Sequence, residues 1–165
     1  MPPSVFVPMC ADILHIGHLN ILKLASSKGD VTILLMTDDA MTLYKRSPFM
    51  TYEHRKEILL STKYVQHVLP CDGPATLGEM VLKYKPDMFV HADDWKIGVQ
   101  SQPRTEVLKT MELYGGVVLE PVYTRDVSST SIQSKIDKTT LKKQGVLIQT
   151  SMTDLKRTVS VTSAE

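Results

Sequence analysis

Short β-rich runs alternate with helical stretches along this chain, and that order constrains its fold more than any other feature. Ser4–Val7 reads as a strand and Gly17–Lys28 as a helix ended by Gly29-Asp30. Val31–Met36 is a near-continuous apolar run, the pattern of a strand buried inside a parallel sheet. Thr51–Thr62 reads as a helix with Thr51 as candidate N-cap, and Val65–Leu69 as a strand stopped by Pro70. Leu77–Tyr84 is a helix that Pro86 blocks, and Met88–His91 is a strand. Arg104–Tyr114 is a helix capped by Gly115-Gly116, Val117–Leu119 is a strand stopped by Pro121, and Ser128–Lys138 is a last helix. Strands separated by helices of this length make βαβ units. The expectation is a Rossmann-like α/β domain, a parallel five-stranded sheet with helices on both faces. In such sheets ligands bind beyond the carboxyl ends of the strands, at the point where the strand order reverses.

The first strand hands over to the first helix through Cys10-Ala11-Asp12-Ile13-Leu14-His15-Ile16-Gly17-His18. Positions three apart are neighbours on a helix, so both imidazoles can face the same way across the helix N-terminus. Free N–H groups and partial positive charge already favour an anion there. Gly17 lets a phosphate approach the backbone closely. The arrangement suits a nucleoside triphosphate gripped while one phosphorus is attacked.

Composition excludes several classes. The net charge is +1 over 165 residues, which gives no broad electrostatic case for nucleic acid or an anionic membrane. No apolar run has the length of a membrane helix, and the first residues carry no basic leader. Cys10 and Cys71 make neither a disulfide framework nor a zinc spacing, so a cytoplasmic protein is expected. Residues 136–165 change character, rich in Thr, Ser and Lys with no aromatic residue. Ile148, Met152, Leu155 and Val159 follow helical spacing there. The division expected is a domain over 1–135 and a tail, linker or docking helix over 136–165.

Four blocks in order carry a resemblance to the cytidylyltransferase family over about residues 4–134. They are the His15-Ile-Gly-His18 segment; Thr51-Tyr52-Glu53-His54-Arg55-Lys56-Glu57-Ile58, followed by Lys63-Tyr64-Val65; His91-Ala92-Asp93-Asp94-Trp95-Lys96; and Val127-Ser128-Ser129-Thr130. Three further details resemble the phosphonate branch, which includes the cytidylyltransferase domain of the bifunctional phosphoenolpyruvate mutase of fosfomycin biosynthesis. They are Met9-Cys10-Ala11-Asp12, Tyr44-Lys45-Arg46 ahead of Pro48-Phe49-Met50, and Tyr123-Thr124.

The resemblance implies in-line attack of a phosphonate or phosphate oxygen on the α-phosphorus of CTP, with pyrophosphate leaving and no covalent enzyme intermediate. Such transfers rest on positioning and charge stabilisation. It implies catalytic roles for His15, His18, Lys45 and Arg55, with Arg46 as an alternative to Lys45. It implies nucleotide contacts from Met9, Cys10, Ala11, Asp12, Gly17, His91, Asp93, Asp94, Trp95, Ser128, Ser129 and Thr130. Lys63 and Arg125 are expected at the acceptor, Arg125 in place of a family arginine at Tyr123. Asp12 is expected to hold the loop or a bound metal. Mg²⁺ is expected to bridge the phosphates rather than occupy a protein cage. The implied partners are CTP and 2-hydroxyethylphosphonate or 2-aminoethylphosphonate. Phosphate esters (phosphocholine, phosphoethanolamine, glycerol 3-phosphate) are the alternative acceptors. A homodimer and a place in a larger bifunctional chain are further expectations.

Three readings compete. An adenylyltransferase of the same superfamily lacks support from the Asp93-Asp94-Trp95 block. A class I aminoacyl-tRNA synthetase is far longer and carries a second lysine-rich signature. A non-catalytic nucleotide-binding domain is open on fold grounds, but such a chain is expected to lose at least one of His15, His18, Lys45 and Arg55.

Overall fold

The computed structural model describes residues 1–140. The chain forms two compact units, residues 1–125 and 126–165. In the second, residues 129–140 are helical and run across position 135, where the expected boundary lay. The spacing of Ile148, Met152, Leu155 and Val159 lies outside the described residues.

The first unit is a parallel five-stranded sheet. The strands are β1 (Ser4–Met9), β2 (Asp30–Met36), β3 (His67–Cys71), β4 (Met88–Val90) and β5 (Val117–Leu119). Their spatial order is β3-β2-β1-β4-β5, all pairs parallel. The order reverses between β1 and β4, so the switch point lies at the carboxyl ends of those two strands.

The helices are α1 (Ile16–Ser26), α2 (Asp38–Tyr44), α3 (Tyr52–Leu60), α4 (Leu77–Tyr84) and α5 (Ser101–Glu112). Side chains alternate across the sheet and pack into two layers. Val5, Val7, Val31, Ile33 and Leu35 join Leu22 and Ala25 of α1 and Leu59 of α3 on one face. Phe6, Leu34 and Phe89 join Leu77 and Val81 of α4 and Val107 and Met111 of α5 on the other. From Val31 to Met36 every residue of β2 is buried, including Thr32, which accounts for its unbroken apolar run. Each fully buried Leu, Ile, Val or Phe contributes about 1.5–3 kcal/mol.

Threonines start the helices that follow β2. Thr37 Oγ1 accepts from the Ala40 amide at 3.3 Å, and Thr51 Oγ1 accepts from His54 at 3.4 Å, as the sequence led one to expect for Thr51. Two expectations need correction. Pro70 lies within β3 rather than stopping it, because β3 is an edge strand and an edge tolerates proline. The helix α2 was absent from the sequence reading; it has only seven residues and buries only Ala40 and Met41. The α1–β2 turn closes tightly at Gly29, where a Cβ would come within 1.9 Å of the Pro3 carbonyl oxygen. The Asp30 amide donates to that same oxygen at 2.8 Å.

Candidate active site

The loop from β1 to α1 crosses the switch point and carries both histidines. His15 is the N-cap of α1, in extended conformation. Its Nδ1 accepts from the Gly17 amide at 3.1 Å, and His18 Nδ1 accepts from the His15 amide at 3.2 Å. The two rings lie 4.0 Å apart between centroids. An Nδ1 that accepts carries no proton, so each neutral ring holds its proton on Nε2. Burial, with repulsion from the Lys45 ammonium and from His15 whenever that ring is protonated, pushes His18 down to about 4, and burial also lowers His15. Two neutral N–H donors of fixed tautomer therefore stand at a helix N-terminus, the arrangement that stabilises developing negative charge.

Gly17 has a second role here. A Cβ at this position would meet His15 Cε1 at 2.9 Å and Nδ1 at 3.0 Å, so the His15 ring packs over the bare glycine. Ala11 sits two residues past β1 with φ 51°, a left-handed conformation rare for a residue with a side chain.

Lys45 caps the carboxyl end of α2 and is exposed. Its charge opposes protonation of His18 and His91 and offsets part of the rise that burial gives the Cys10 thiol. The neighbouring Arg46 is committed elsewhere. Its guanidinium pairs with Asp12 at 2.7 Å, donates to the Ser47 carbonyl at 2.9 Å and lies 4.1 Å over the Phe49 ring. Of these two neighbours Arg46 is paired and Lys45 is exposed.

Asp12 holds a loop. Its buried carboxylate accepts from the Phe49 amide at 2.9 Å and the Met50 amide at 3.0 Å in addition to Arg46. These partners outweigh burial and hold its pKa below the usual carboxylate value. The loop it fixes connects Lys45 to α3.

Arg55 does not face a ligand. It is fully buried in α3, and its donors are spent within the protein. Nε donates to the Met50 carbonyl at 3.1 Å, Nη1 to the Cys10 carbonyl at 2.6 Å and Nη2 to Asp38 at 2.6 Å. Asp38 also accepts from the Tyr52 amide at 3.1 Å. Arg55 thus ties the loop after β1 to the starts of α2 and α3, a positioning role in place of the expected phosphate contact. Lys63 is likewise misplaced by the sequence reading. It is exposed in the turn before β3, where the Gln66 amide meets the Val31 carbonyl. That is the amino edge of the sheet, and a strand of β3's length, roughly 17 Å, separates it from the switch point.

The segment after β4 folds into a 3₁₀ turn, Asp93–Lys96. Trp95 is only 1% exposed, so it belongs to the core rather than to a pocket wall. Its ring is parallel to those of Phe89 and His91, with centroids 5.6 and 4.3 Å away. His91 Nδ1 lies 2.8 Å from the Ala92 carbonyl oxygen. A carbonyl only accepts, so Nδ1 holds the proton in the neutral ring and Nε2 offers a lone pair. Asp93 accepts from the Tyr123 amide at 2.8 Å and anchors the loop after β5. Asp94 is exposed, with Oδ1 3.7 Å from His91 Nδ1.

Met9 is half-buried at the end of β1, and the Cys10 thiol lies 3.9 Å from the Met36 sulfur with its pKa raised by burial. The chain after β5 returns to the histidine loop. Asn20 of α1 donates to Thr124 Oγ1 at 3.2 Å, and Thr124 lies over Gly17. The exposed Arg125 follows directly. In the second unit Ser128 caps the helix over 129–140. The Ser131 amide donates to Ser128 Oγ, and the Ser128 amide to Ser131 Oγ, both at 3.0 Å. Ser129 and Thr130 are the first two residues of that helix.

One residue of consequence escaped sequence reasoning. Glu120, just past β5, accepts from Trp95 Nε1 at 2.7 Å and pairs with Arg104 at 2.6 Å and Lys96 at 3.3 Å. Arg104, with lesser help from Trp95 and Lys96, pulls its carboxyl down to about 2. Its one sequence signal was a charge immediately after a short apolar strand.

Among the described residues no group of three His, Cys, Asp or Glu side chains is placed to hold a metal ion. Asp12, Asp38 and Asp93 are occupied by protein donors.

Residues 7–135 match a family model described as cytidylyltransferase-like. A glycerol-3-phosphate cytidylyltransferase of Bacillus subtilis (strain 168) is 31% identical over 112 residues, covering 62% of this chain and 87% of that protein. Its counterpart in Staphylococcus aureus (strain NCTC 8325 / PS 47) is 35% identical over 118 residues, covering 63% and 89%. An ethanolamine-phosphate cytidylyltransferase of Mus musculus is 30% identical over 128 residues, covering 77% of this chain but 31% of that longer protein. The crystal structure of the lipopolysaccharide core biosynthesis protein from Thermoplasma volcanium GSS1 superposes with a TM-score of 0.61 at 20% identity, over 75% of this chain and 100% of that one, and shares the fold. A family match over most of the chain, on a sheet that delivers the histidine pair to its switch point, establishes that this chain belongs to the cytidylyltransferase-like family.

Proposed function

We propose that this protein transfers CMP from CTP to the phosphate of a small phosphate ester and releases pyrophosphate. The observation that carries the reading is the pair of neutral imidazoles His15 and His18 at the start of α1, each with Nδ1 spent on a backbone amide and Nε2 left as the donor, with the Lys45 charge acting on His18. An oxygen of the acceptor phosphate forms a bond to the α-phosphorus. The bond from that phosphorus to the bridging oxygen breaks, and pyrophosphate leaves with the electron pair. The histidine donors stabilise charge on the oxygens of the attacked phosphorus, and Lys45 neutralises the departing phosphates. Mg²⁺, when bound with the nucleotide, would supply further neutralisation of charge. Arg125 is assigned to phosphate oxygens of the acceptor on the family resemblance.

The relatives' names favour a phosphate ester, glycerol 3-phosphate or phosphoethanolamine, as acceptor. The Met9–Asp12 and Tyr44–Arg46 segments favour a phosphonate, which is the second reading. Pyrophosphate release is the test, with CTP, Mg²⁺ and five acceptors: glycerol 3-phosphate, phosphoethanolamine, phosphocholine, 2-hydroxyethylphosphonate and 2-aminoethylphosphonate. Release with an ester is expected. Release with a phosphonate alone would move the assignment to the second reading, and silence with all five would refute CMP transfer to this class of acceptor.

A further inference from the structure

We infer that Glu120 is a positioning residue of the nucleotide site: its carboxylate holds the Trp95 indole, and through the indole the His91 ring, at the carboxyl end of β4. The inference rests on the proposed transfer for its kinetic consequences. Its structural content stands apart from that reading.

Three parallel rings, Phe89, Trp95 and His91, form one slab, with 8° between the first pair and 7° between the second. Phe89 is fully buried and Trp95 nearly so. The His91 side chain is the outer member, 19% exposed, beside the switch point. Its backbone is pinned by the bond from the His91 amide to the Leu119 carbonyl. Its ring is fixed at one edge by Ala92 and across one face by the indole. The indole in turn has one polar atom, and Glu120 Oε1 takes it at 2.7 Å. Arg104 grips both Glu120 oxygens, at 2.6 and 3.0 Å, so the acceptor is itself immobile. A chain of fixed groups thus runs from α5, through the residue after β5, to the ring that borders the site. Rigid support of this kind keeps a binding group within the tolerance a reaction needs.

Glu120 also acts by charge. Asp94 and Glu120 raise the proton affinity of His91, while burial, the largest effect, and the Lys45 ammonium lower it. Asp94, Glu120 and Lys45 are the charged groups that face the ring. A residue that merely filled space would leave the titration of His91 unmoved.

Trp95 is the sole tryptophan of the chain, so its emission reports on its own surroundings. A protonated imidazole stacked on an indole quenches it. The experiment follows emission of the full chain against pH in wild type, Glu120→Gln, Glu120→Leu and His91→Phe. In wild type the emission drops as His91 takes up its proton, and His91→Phe abolishes that step. Glu120→Gln keeps an acceptor for the indole but removes the charge, so the step moves to lower pH. In parallel pyrophosphate assays Glu120→Leu lowers kcat/KM by roughly tenfold or more, and Glu120→Gln recovers part of that loss. An unmoved midpoint in Glu120→Gln, or a step that survives in His91→Phe, overturns the inference. So does a folded Glu120→Leu variant with wild-type kcat/KM. If Glu120→Leu fails to fold, the Glu120→Gln midpoint alone decides. A wild type silent in pyrophosphate release refutes the proposed transfer, and the fluorescence titration still decides whether Glu120 governs His91.

Discussion

Replacing Arg55 separates a residue that builds the site from one that works in it. Its guanidinium is fully buried and makes three short hydrogen bonds, to the Met50 and Cys10 carbonyls and to Asp38. Hydrogen bonds involving a charged group contribute about 1.5–3 kcal/mol each, and removing one member of a buried pair costs about 3–5 kcal/mol. The Asp38 side chain is 40% exposed and can be rehydrated, which discounts the ionic part. Arg55→Leu is therefore expected to lose about 3 kcal/mol, at the low end of that range. Urea unfolding followed by far-UV circular dichroism measures it. At a slope of about 1–3 kcal/mol/M the midpoint falls by about 1–3 M. Arg55→Lys keeps the charge but cannot fork to three acceptors, and falls between the two. If Arg55→Leu unfolds with the wild-type midpoint and yet loses turnover, the guanidinium acts on the ligand and the positioning role is wrong.

Gly17→Ala pushes the His15 ring from its seat, since a Cβ would stand 2.9 Å from it; turnover falls while the circular dichroism spectrum is retained. Lys45→Ala and Arg46→Ala should part company. The exposed Lys45 loses turnover at wild-type stability, whereas loss of Arg46 frees the Asp12 clamp and lowers stability, as paired melting and pyrophosphate assays will show. His18 sets a pH dependence of stability. Its folded pKa of about 4 lies below the ordinary imidazole value of 6.5, so the unfolded chain binds the proton first as pH drops. The contribution is present above pH 6.5 and lost progressively down to about pH 4, amounting to about 3 kcal/mol in all. His18→Asn should flatten that part of a stability-against-pH curve.

The sheet was legible because its central strand β2 is buried on both faces, and a run such as Val31–Met36 has few other uses. The histidine pair was legible because three-residue spacing at a strand-to-helix junction has a direct geometric meaning. Long-range commitments were not. Nothing local reveals that Arg55 finds Cys10 and Asp38, or that Asp12 spends its carboxylate on Arg46 and a loop 37 residues away. The same blindness made Trp95 look like a pocket wall, because its Glu120 partner lies 25 residues on. Lys63 was misjudged for a different reason: sequence order does not say which edge of the sheet a helix end returns to.

The central claim is that the histidine pair at the switch point drives CMP transfer. Phosphorus NMR of wild type and His18→Ala, each incubated with CTP, Mg²⁺ and glycerol 3-phosphate or phosphoethanolamine, tests it most directly. The account predicts a CDP-linked product and pyrophosphate in equal amounts from wild type, with His18→Ala folded and slower by about 10²–10³-fold. A folded His18→Ala protein that forms product at the wild-type rate would contradict it.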